Sequence, residues 1–148
     1  MAKVIGRKTV LIFGATGFIG SALLKYLADA GFNLRLLGRD FSGRQDCLVH
    51  DCRHIDFDGN IGGLSPELFE SVEVVIHAAG LSAEQCKISP ESALWFNGSL
   101  THELAISAQQ AGVKRFLFLS TCHVYSGRLS LNYREESPLN GCHNRSIL

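Results

Sequence analysis

The 148-residue sequence lacks several features that would assign it to a specialised class of protein. Its 14 Lys and Arg residues balance its 14 Asp and Glu residues, so net charge indicates neither a nucleic-acid nor a membrane partner. It contains no run of about 18 apolar residues, which excludes a transmembrane helix. It also lacks repeats and low-complexity segments, and its length predicts a single domain over residues 1–148. A signal peptide is a weaker alternative for the N-terminal apolar run, because glycines interrupt that run.

Cysteine pairs with the spacing of metal sites are absent as well. The chain has five cysteines, an odd number, and no two of them form a CxxC pair. This pattern predicts neither a disulfide framework nor a metal site. Each cysteine can instead be a small buried hydrophobic residue. Reduced thiols are typical of the cytosol, so we expect a cytoplasmic protein.

Apolar β-rich segments alternate with helical segments along the chain. The helical segment FIGSALLKYLADAG follows the first strand, with apolar residues such as Phe18 and Tyr26 at helical spacing. Later helices are predicted to start at Ser65-Pro66 and Ser89-Pro90. The alternation predicts an α/β fold with a parallel sheet and helices on both faces. Residues 126–148 are predicted to be mostly irregular. The predicted strands are TVLIFG, NLRLLG, DCLVHDC, EVVIHAAG and KRFLFLST.

The segment GATGFIG, between the first strand and the first helix, carries the clearest chemistry. Gly14 permits a sharp exit from the strand, Gly17 leaves room for a pyrophosphate, and Gly20 lets the helix pack closely on the sheet. The N–H groups at the start of the helix then face the phosphates. A tight turn without a ligand is the alternative interpretation.

The chain resembles the extended short-chain dehydrogenase/reductases, which include nucleotide-sugar epimerases and dehydratases. The resemblance rests on GATGFIG, GRD, DCR, VIHAAG, FNGSLT and GVKRFLFLSTCHVYS in that order, over roughly residues 8–138. It implies a doubly wound Rossmann fold of three α/β/α layers, with strand order 3-2-1-4-5. It also implies a dinucleotide cofactor and a nucleotide-sugar substrate.

The resemblance implies which residues bind the cofactor. Arg39 follows the second strand and is interpreted as a clamp on a 2′-phosphate, which favours NADP over NAD. A surface pair of Arg39 with Asp40 is the alternative. Asp51 and Cys52 stand where the family holds the adenine, although Asp51 can also be a turn aspartate. The predicted cofactor set is Gly14, Thr16, Gly17, Phe18, Ile19, Gly20, Arg39, Asp51, Cys52, Ala78, Ala79, Gly80 and Asn97.

Small residues from Ala78 to Gly80 are expected to let the cofactor cross the end of the fourth strand, and His77 before them is expected to be structural. Asn97 resembles the asparagine of the family's NxxGT segment, with Leu100 where glycine is usual. Asn97 without a function is the alternative. Thr121 stands at the family's catalytic Ser/Thr position, where a hydroxyl contacts the substrate oxygen. A strand-end residue is the alternative for Thr121.

The family's general acid/base is the tyrosine of a YxxxK pair, whose lysine lowers the tyrosine pKa. The lead-in to that pair resembles EESPLNGCHNRSIL, which places Arg145 at or beside the tyrosine position. Arginine cannot act as the base. No tyrosine follows Tyr133, which has Ser137 at its fourth place, and the lysine would fall beyond Leu148. The 148 residues are therefore predicted to be catalytically incomplete.

Three hypotheses follow. The first is the N-terminal NADP-binding part of a shortened nucleotide-sugar enzyme. The second is a non-enzymatic NADP sensor or a partner subunit. The third is an active enzyme that uses Thr121 with His123 or His143. A sheet without the family's later strands is also expected to expose an apolar face and to self-associate through it.

Overall fold

Five parallel strands form the sheet of the computed structural model, which describes residues 7–39, 41–42, 52–60, 63–121, 124–125 and 132–139. Their order is β3-β2-β1-β4-β5, so the direction of strand addition reverses between β1 and β4. This confirms the predicted α/β class and strand order. The strands are β1 Thr9–Phe13, β2 Asn33–Gly38, β3 Cys52–Asp56, β4 Val72–His77 and β5 Arg115–Phe118.

Helical segments connect most of these strands. The right-handed rule for parallel crossovers places α1 and α4 on opposite faces of the sheet. The helical segments are α1 Phe18–Asp29, the 3-10 helix Pro66–Phe69, α2 Ala83–Ile88, α3 Pro90–Ala93, the π-helical turn Leu94–Ser99 and α4 Leu100–Gln110.

The sheet face that α1 covers is built from every second residue of the central strands. Val10 and Ile12 of β1 pack with Leu34 and Leu36 of β2 beneath Leu24 of α1. The residues between them point to the other face, since side chains alternate along a strand. β1 and β2 are thus buried on both faces, which explains their continuous apolar sequences.

The face of α1 that is buried differs from the apolar face that the sequence predicts. Gly20 and Leu24 are its buried residues, and Leu27 is partly buried against the core. Phe18 and Tyr26 are instead 95% and 73% exposed. The close packing of Gly20 on the preceding turn sets the rotation of the helix, and apolar spacing alone does not report that contact.

The third strand lies later than the predicted segment DCLVHDC, of which only Cys52 is among the described residues. β3 is Cys52–Asp56 and pairs in parallel with β2, with Leu34 opposite Cys52 and Gly38 opposite Asp56. β3 is an edge strand whose residues are exposed or half-buried. It therefore lacks the continuous apolar run that the prediction relied on.

The position of β3 bears on the adenine contact predicted for Asp51 and Cys52, which stays a prediction. Cys52 begins β3 and lies at its amino end, whereas cofactors of parallel sheets bind at the carboxyl ends of strands. Asp51 lies outside the described residues. Asp56, Phe57 and Asp58 are the residues at the carboxyl end of β3.

The predicted helix after Ser65 is a 3-10 helix of four residues, and the Ser65 side chain caps no N–H group. The buried Arg35 side chain of β2 donates from one terminal nitrogen to the carbonyl oxygens of Glu67, at 3.3 Å, and Leu68. These carbonyls are thus satisfied by Arg35 without a further helical turn. Burial, and then Arg53, lower the pKa of Arg35, which Glu70 partly opposes.

The long predicted helix is present, but a π-helical turn interrupts it at Leu94–Ser99. α2, before it, was not predicted. Ser82 and Gln85 form a capping box at its start, with the Gln85 N–H donating to Ser82 Oγ at 3.3 Å. The spacing S-x-x-Q in the sequence was the available signal.

The chain divides into two compact units. The first comprises Met1–Ala79 and Glu103–Leu119, and contains the sheet and α1. The second comprises Gly80–His102 and Ser120–Leu148, and contains α2, α3 and the π-helical turn. The single domain over 1–148 stays a prediction. Residues 132–139 hold neither helix nor strand, and no helix in the described part of the chain is long and apolar enough to cross a membrane.

Candidate functional site: a glycine turn and a charged cavity

The turn after β1 is built around Gly14. Its φ of +91° lies in the left-handed region that favours glycine. A Cβ on Gly14 would stand 2.6 Å from the backbone nitrogen of Ala79 and 2.8 Å from the carbonyl carbon of Ala78. The ends of β1 and β4 therefore approach so closely that no side chain fits between them.

Gly20 makes the second close approach of this turn. A Cβ there would lie 2.8 Å from Ala15 Cα and closer still to the carbonyl oxygen of Gly14. The first turn of α1 thus rests directly on the backbone that leaves β1. Gly14 and Gly20 bring a strand end and a helix start together, as their predicted roles require.

The amino end of α1 has the chemistry of an anion site. Gly17 is the N-cap residue and has no side chain to cap the first N–H groups. A Cβ on Gly17 would meet only the Gly14 carbonyl oxygen, at 3.3 Å, within 4 Å. Phe18 and Ile19 are exposed, and Thr16 in the turn is half-buried. Uncapped N–H groups and the partial positive charge of a helix start fit a pyrophosphate.

The end of β4 supports the turn from the side. The N–H of Ala78 donates to the carbonyl of Phe13 at 2.8 Å, which extends the ladder beyond β4. Ala78 and Ala79 are half-buried. Gly80 is exposed and belongs to the second unit. The passage of a cofactor across these small residues stays a prediction.

His77 is the last residue of β4 and is fully buried. Its ring lies 4.9 Å from that of Phe13, 5.2 Å from that of Phe118 and 6.3 Å from that of Phe116. Burial lowers the pKa of His77 to about 4, so the ring is neutral at neutral pH. A neutral ring among phenylalanines fits the structural role predicted for His77.

A cavity of about 880 Å³ opens at the carboxyl ends of β2 and β3. Arg39, which directly follows β2, is one of the residues that line it. Phe41 and His54 stack at 4.8 Å with an interplanar angle of 11°. The other lining residues were not predicted, and those in and after β3 were missed because that strand was placed too early. The other lining residues are Phe41, Ser42, His54, Asp56, Phe57, Asp58 and Gly63.

Asn97 lies in the π-helical turn of the second unit and holds the chain that leaves β4. Its Oδ1 accepts from the N–H of Leu81 at 2.8 Å, and its Nδ2 donates to the Leu81 carbonyl at 3.5 Å and to Cys86 Sγ at 3.7 Å. Leu100, which replaces the usual glycine, is fully buried. The Asn97 amide thus has defined partners in the chain, and burial raises the pKa of the Cys86 thiol.

The catalytic candidate Thr121 is half-buried in the second unit. Its carbonyl accepts from the N–H of Val124 at 3.3 Å. The rings of Tyr125 and Tyr133 stack at 5.5 Å. His123, His143 and Arg145, like Asp40 and Asp51, lie outside the described residues.

The sequence model of the NAD dependent epimerase/dehydratase family matches residues 10–145. The chain belongs to this family. The match spans the glycine turn, the cavity residues and all five strands except Thr9, the first residue of β1. Membership of the epimerase/dehydratase family therefore rests on most of the chain.

Relatives in this family include proteins of sugar metabolism. Spore coat polysaccharide biosynthesis protein SpsK of Bacillus subtilis (strain 168) is 28% identical over 130 residues, covering 88% of this chain and 41% of the relative. A UDP-glucose 4-epimerase of Azospirillum brasilense is 28% identical over 141 residues, covering 87% of this chain and 38% of the relative. The chain thus spans about two-fifths of the length of these relatives.

Solved structures share the fold. The UDP-Glc/GlcNAc 4-epimerase of Campylobacter jejuni superposes with a TM-score of 0.81 at 22% identity, over 94% of this chain and 45% of that one. DesIV, a dTDP-glucose 4,6-dehydratase of Streptomyces venezuelae solved with NAD and TYD bound, gives 0.81 at 24% identity, over 93% and 47%. At these identities the likeness establishes the Rossmann-like fold.

Proposed function

We propose that the chain binds an NAD(P) dinucleotide at the glycine turn, as the nucleotide-binding part of a nucleotide-sugar epimerase or dehydratase. The observation that carries the proposal is the close packing of Gly14 and Gly20, which brings the amino end of α1 beside the ends of β1 and β4, while the N-cap residue Gly17 leaves its first N–H groups without a side-chain cap. Backbone N–H groups in that arrangement bind pyrophosphate without any charged side chain.

The preferred cofactor is NADP. Arg39 is exposed, follows β2 directly and lines the cavity where the ribose of the dinucleotide would lie. A guanidinium group makes charge-assisted hydrogen bonds with a phosphate. In this proposal the adenine contact moves from Asp51 and Cys52 to Asp56, which stands at the carboxyl end of β3.

The cofactor assignment is tested by calorimetric titration of the chain with NADPH and with NADH. We expect both to bind, NADPH more tightly, because only NADPH presents a 2′-phosphate to Arg39. No heat with either ligand on folded protein rejects the nucleotide site. A preference for NADH rejects the role of Arg39 and leaves the glycine turn in place.

The 148 residues are proposed to bind the cofactor without turning over a sugar nucleotide. Thr121 supplies the substrate-facing hydroxyl, yet no tyrosine follows Tyr133, and Arg145 cannot exchange a proton near neutral pH. Incubation with UDP-hexoses and either cofactor is expected to give no product. Turnover by these 148 residues would contradict this and would favour chemistry built on Thr121 and a histidine.

The second candidate is a non-enzymatic NADP sensor or partner subunit. It is favoured by Leu117 and Phe118 of the edge strand β5, which are 49% and 44% exposed in this chain. Such a strand favours association with another chain or a second copy. Sedimentation at increasing protein concentration tests self-association, and a constant monomer mass rejects it.

We place the protein in the cytoplasm, because Cys86 is a free, buried thiol.

A further inference from the structure

The cavity at the ends of β2 and β3 has walls of opposite charge. The β2 side contributes Arg39 and the hydroxyl of Ser42, and the β3 side contributes the carboxylates of Asp56 and Asp58. All four side chains are exposed. A ligand that fills the cavity therefore meets a cation and a hydroxyl on one side and two anions on the other.

The two walls are formed by the ends of neighbouring, hydrogen-bonded strands. Gly38, the last residue of β2, lies opposite Asp56, the last residue of β3. The N–H of Phe57 donates to the Gly38 carbonyl at 2.9 Å, so the ladder continues past the end of β3. Neighbouring strands lie about 4.8 Å apart. Arg39 and Asp58 follow these neighbouring strand ends by one and two residues, and both line the cavity. Salt screens interactions between exposed charges beyond about 10 Å at 0.1 M ionic strength.

Asp58 is held in place on the β3 wall. Its Oδ1 accepts from the N–H of Asn60 at 2.8 Å, around Gly59 with φ of +93°. This local turn fixes the carboxylate beside the cavity. Asp58 therefore presents a localised negative charge, although it is exposed to solvent.

We propose that Asp58 and Ser42 set the choice between NADP and NAD in opposite directions. The proposal rests on the proposed dinucleotide site. Ser42 donates a hydrogen bond to the 2′-phosphate beside Arg39, whereas Asp58 repels the same phosphate across the cavity. NAD lacks that phosphate, and the pyrophosphate that both dinucleotides share binds at the glycine turn in this proposal, so both effects act mainly on NADP. The charge of a phosphate monoester is about −2 near neutral pH, which makes the repulsion sensitive to a single carboxylate.

The experiment measures the dissociation constants of NADPH and NADH for the full 148-residue chain and its variants at low ionic strength. Asp58→Asn keeps the shape of the side chain and an oxygen that accepts from Asn60, and removes only the charge. We expect it to tighten NADPH binding by about three- to tenfold relative to NADH. Ser42→Ala is expected to weaken NADPH by a similar factor and to leave NADH unchanged.

Asp29→Asn is the matched control, because Asp29 is exposed at the end of α1 and loses the same charge. Its ratio of NADPH to NADH affinity is expected to equal that of the wild type. High salt should shrink the effect of Asp58→Asn.

The outcomes separate the two proposals. If the wild type binds neither dinucleotide, the proposed function fails. If it binds but Asp58→Asn leaves the ratio unchanged, or shifts it no more than Asp29→Asn does, the assignment to Asp58 is overturned. A Ser42→Ala variant that weakens both ligands equally overturns the assignment to Ser42.

Discussion

The turn after β1 and the cavity beyond β2 and β3 lie at the same edge of the sheet, yet they are built differently. At the turn, Gly14 and Gly20 let backbone touch backbone, and side chains take no part. At the cavity, exposed side chains such as Arg39 and Asp58 form the walls. The turn should therefore govern stability as well as binding, whereas the cavity should govern only which ligand is chosen.

The largest effect should follow from breaking the turn. In Gly20→Ala the added methyl group would overlap the backbone atoms of Gly14 and Ala15, so α1 has to shift away from the sheet. We expect a loss of more than about 3 kcal/mol of unfolding free energy. Urea unfolding measures it. Gly31→Ala is the control, since Gly31 also has a positive φ but nothing within 4 Å, and it should cost about 1 kcal/mol. Equal losses for the two variants would refute the packing role.

Acid should weaken the same region through His77, which packs on Phe13 at the end of β1. Its pKa is about 4 in the folded chain and about 6.5 when unfolded. The contribution of the neutral His77 ring to the free energy of unfolding is complete above pH 6.5 and is lost as pH falls towards 4. This contribution to the free energy of unfolding amounts to at most about 3.4 kcal/mol.

The measurement compares the pH dependence of unfolding free energy in the wild type and in His77→Phe, which cannot gain charge. The difference between the two should change between pH 7.5 and 4.5 in favour of the variant. If His77→Phe does not fold, His77→Leu serves the same comparison. Parallel pH profiles would show that His77 is not the group responsible.

A smaller effect on stability is expected at Gly17, where the turn meets the ligand. Gly17→Ala adds a methyl group that meets only the Gly14 carbonyl oxygen, at 3.3 Å, in a conformation open to any residue. We expect a cost of about 1 kcal/mol, because alanine is a poor N-cap. NADPH and NADH should both bind about tenfold more weakly or worse, since the methyl group obstructs the pyrophosphate. Unchanged affinity for both would remove Gly17 from the site.

The smallest effect on stability should come from the cavity. Arg39→Gln alters an exposed side chain at the end of β2, so unfolding free energy should stay within about 0.5 kcal/mol of the wild type. The affinity for NADPH should fall about tenfold or more, and that for NADH should hold. A large loss of stability would show that Arg39 supports the fold. It would contradict the distinction between a turn that governs stability and a cavity that governs ligand choice.

The two regions also differ in how far the sequence predicts their structure. Gly14 and Gly20 were assigned because a glycine pattern between a strand and a helix is a local signal. Asp56 and Asp58 were missed because the third strand was placed at residues 46–52, before β3. An edge strand that is half-exposed has no continuous apolar run, and only pairing with β2 identifies it.

The sequence by itself determined the alternation of strands and helices, the parallel sheet and the turn at Gly14, because periodicity and glycine conformations are properties of neighbouring residues. Only the tertiary structure decided the register of β3, the rotation of α1 and the burial of Arg35 and His77. Those features depend on contacts between segments that are far apart in the sequence. The free energy of such contacts cannot be read from a local sequence pattern. Asp58 likewise reaches the cavity wall opposite Arg39 only because β3 pairs with β2.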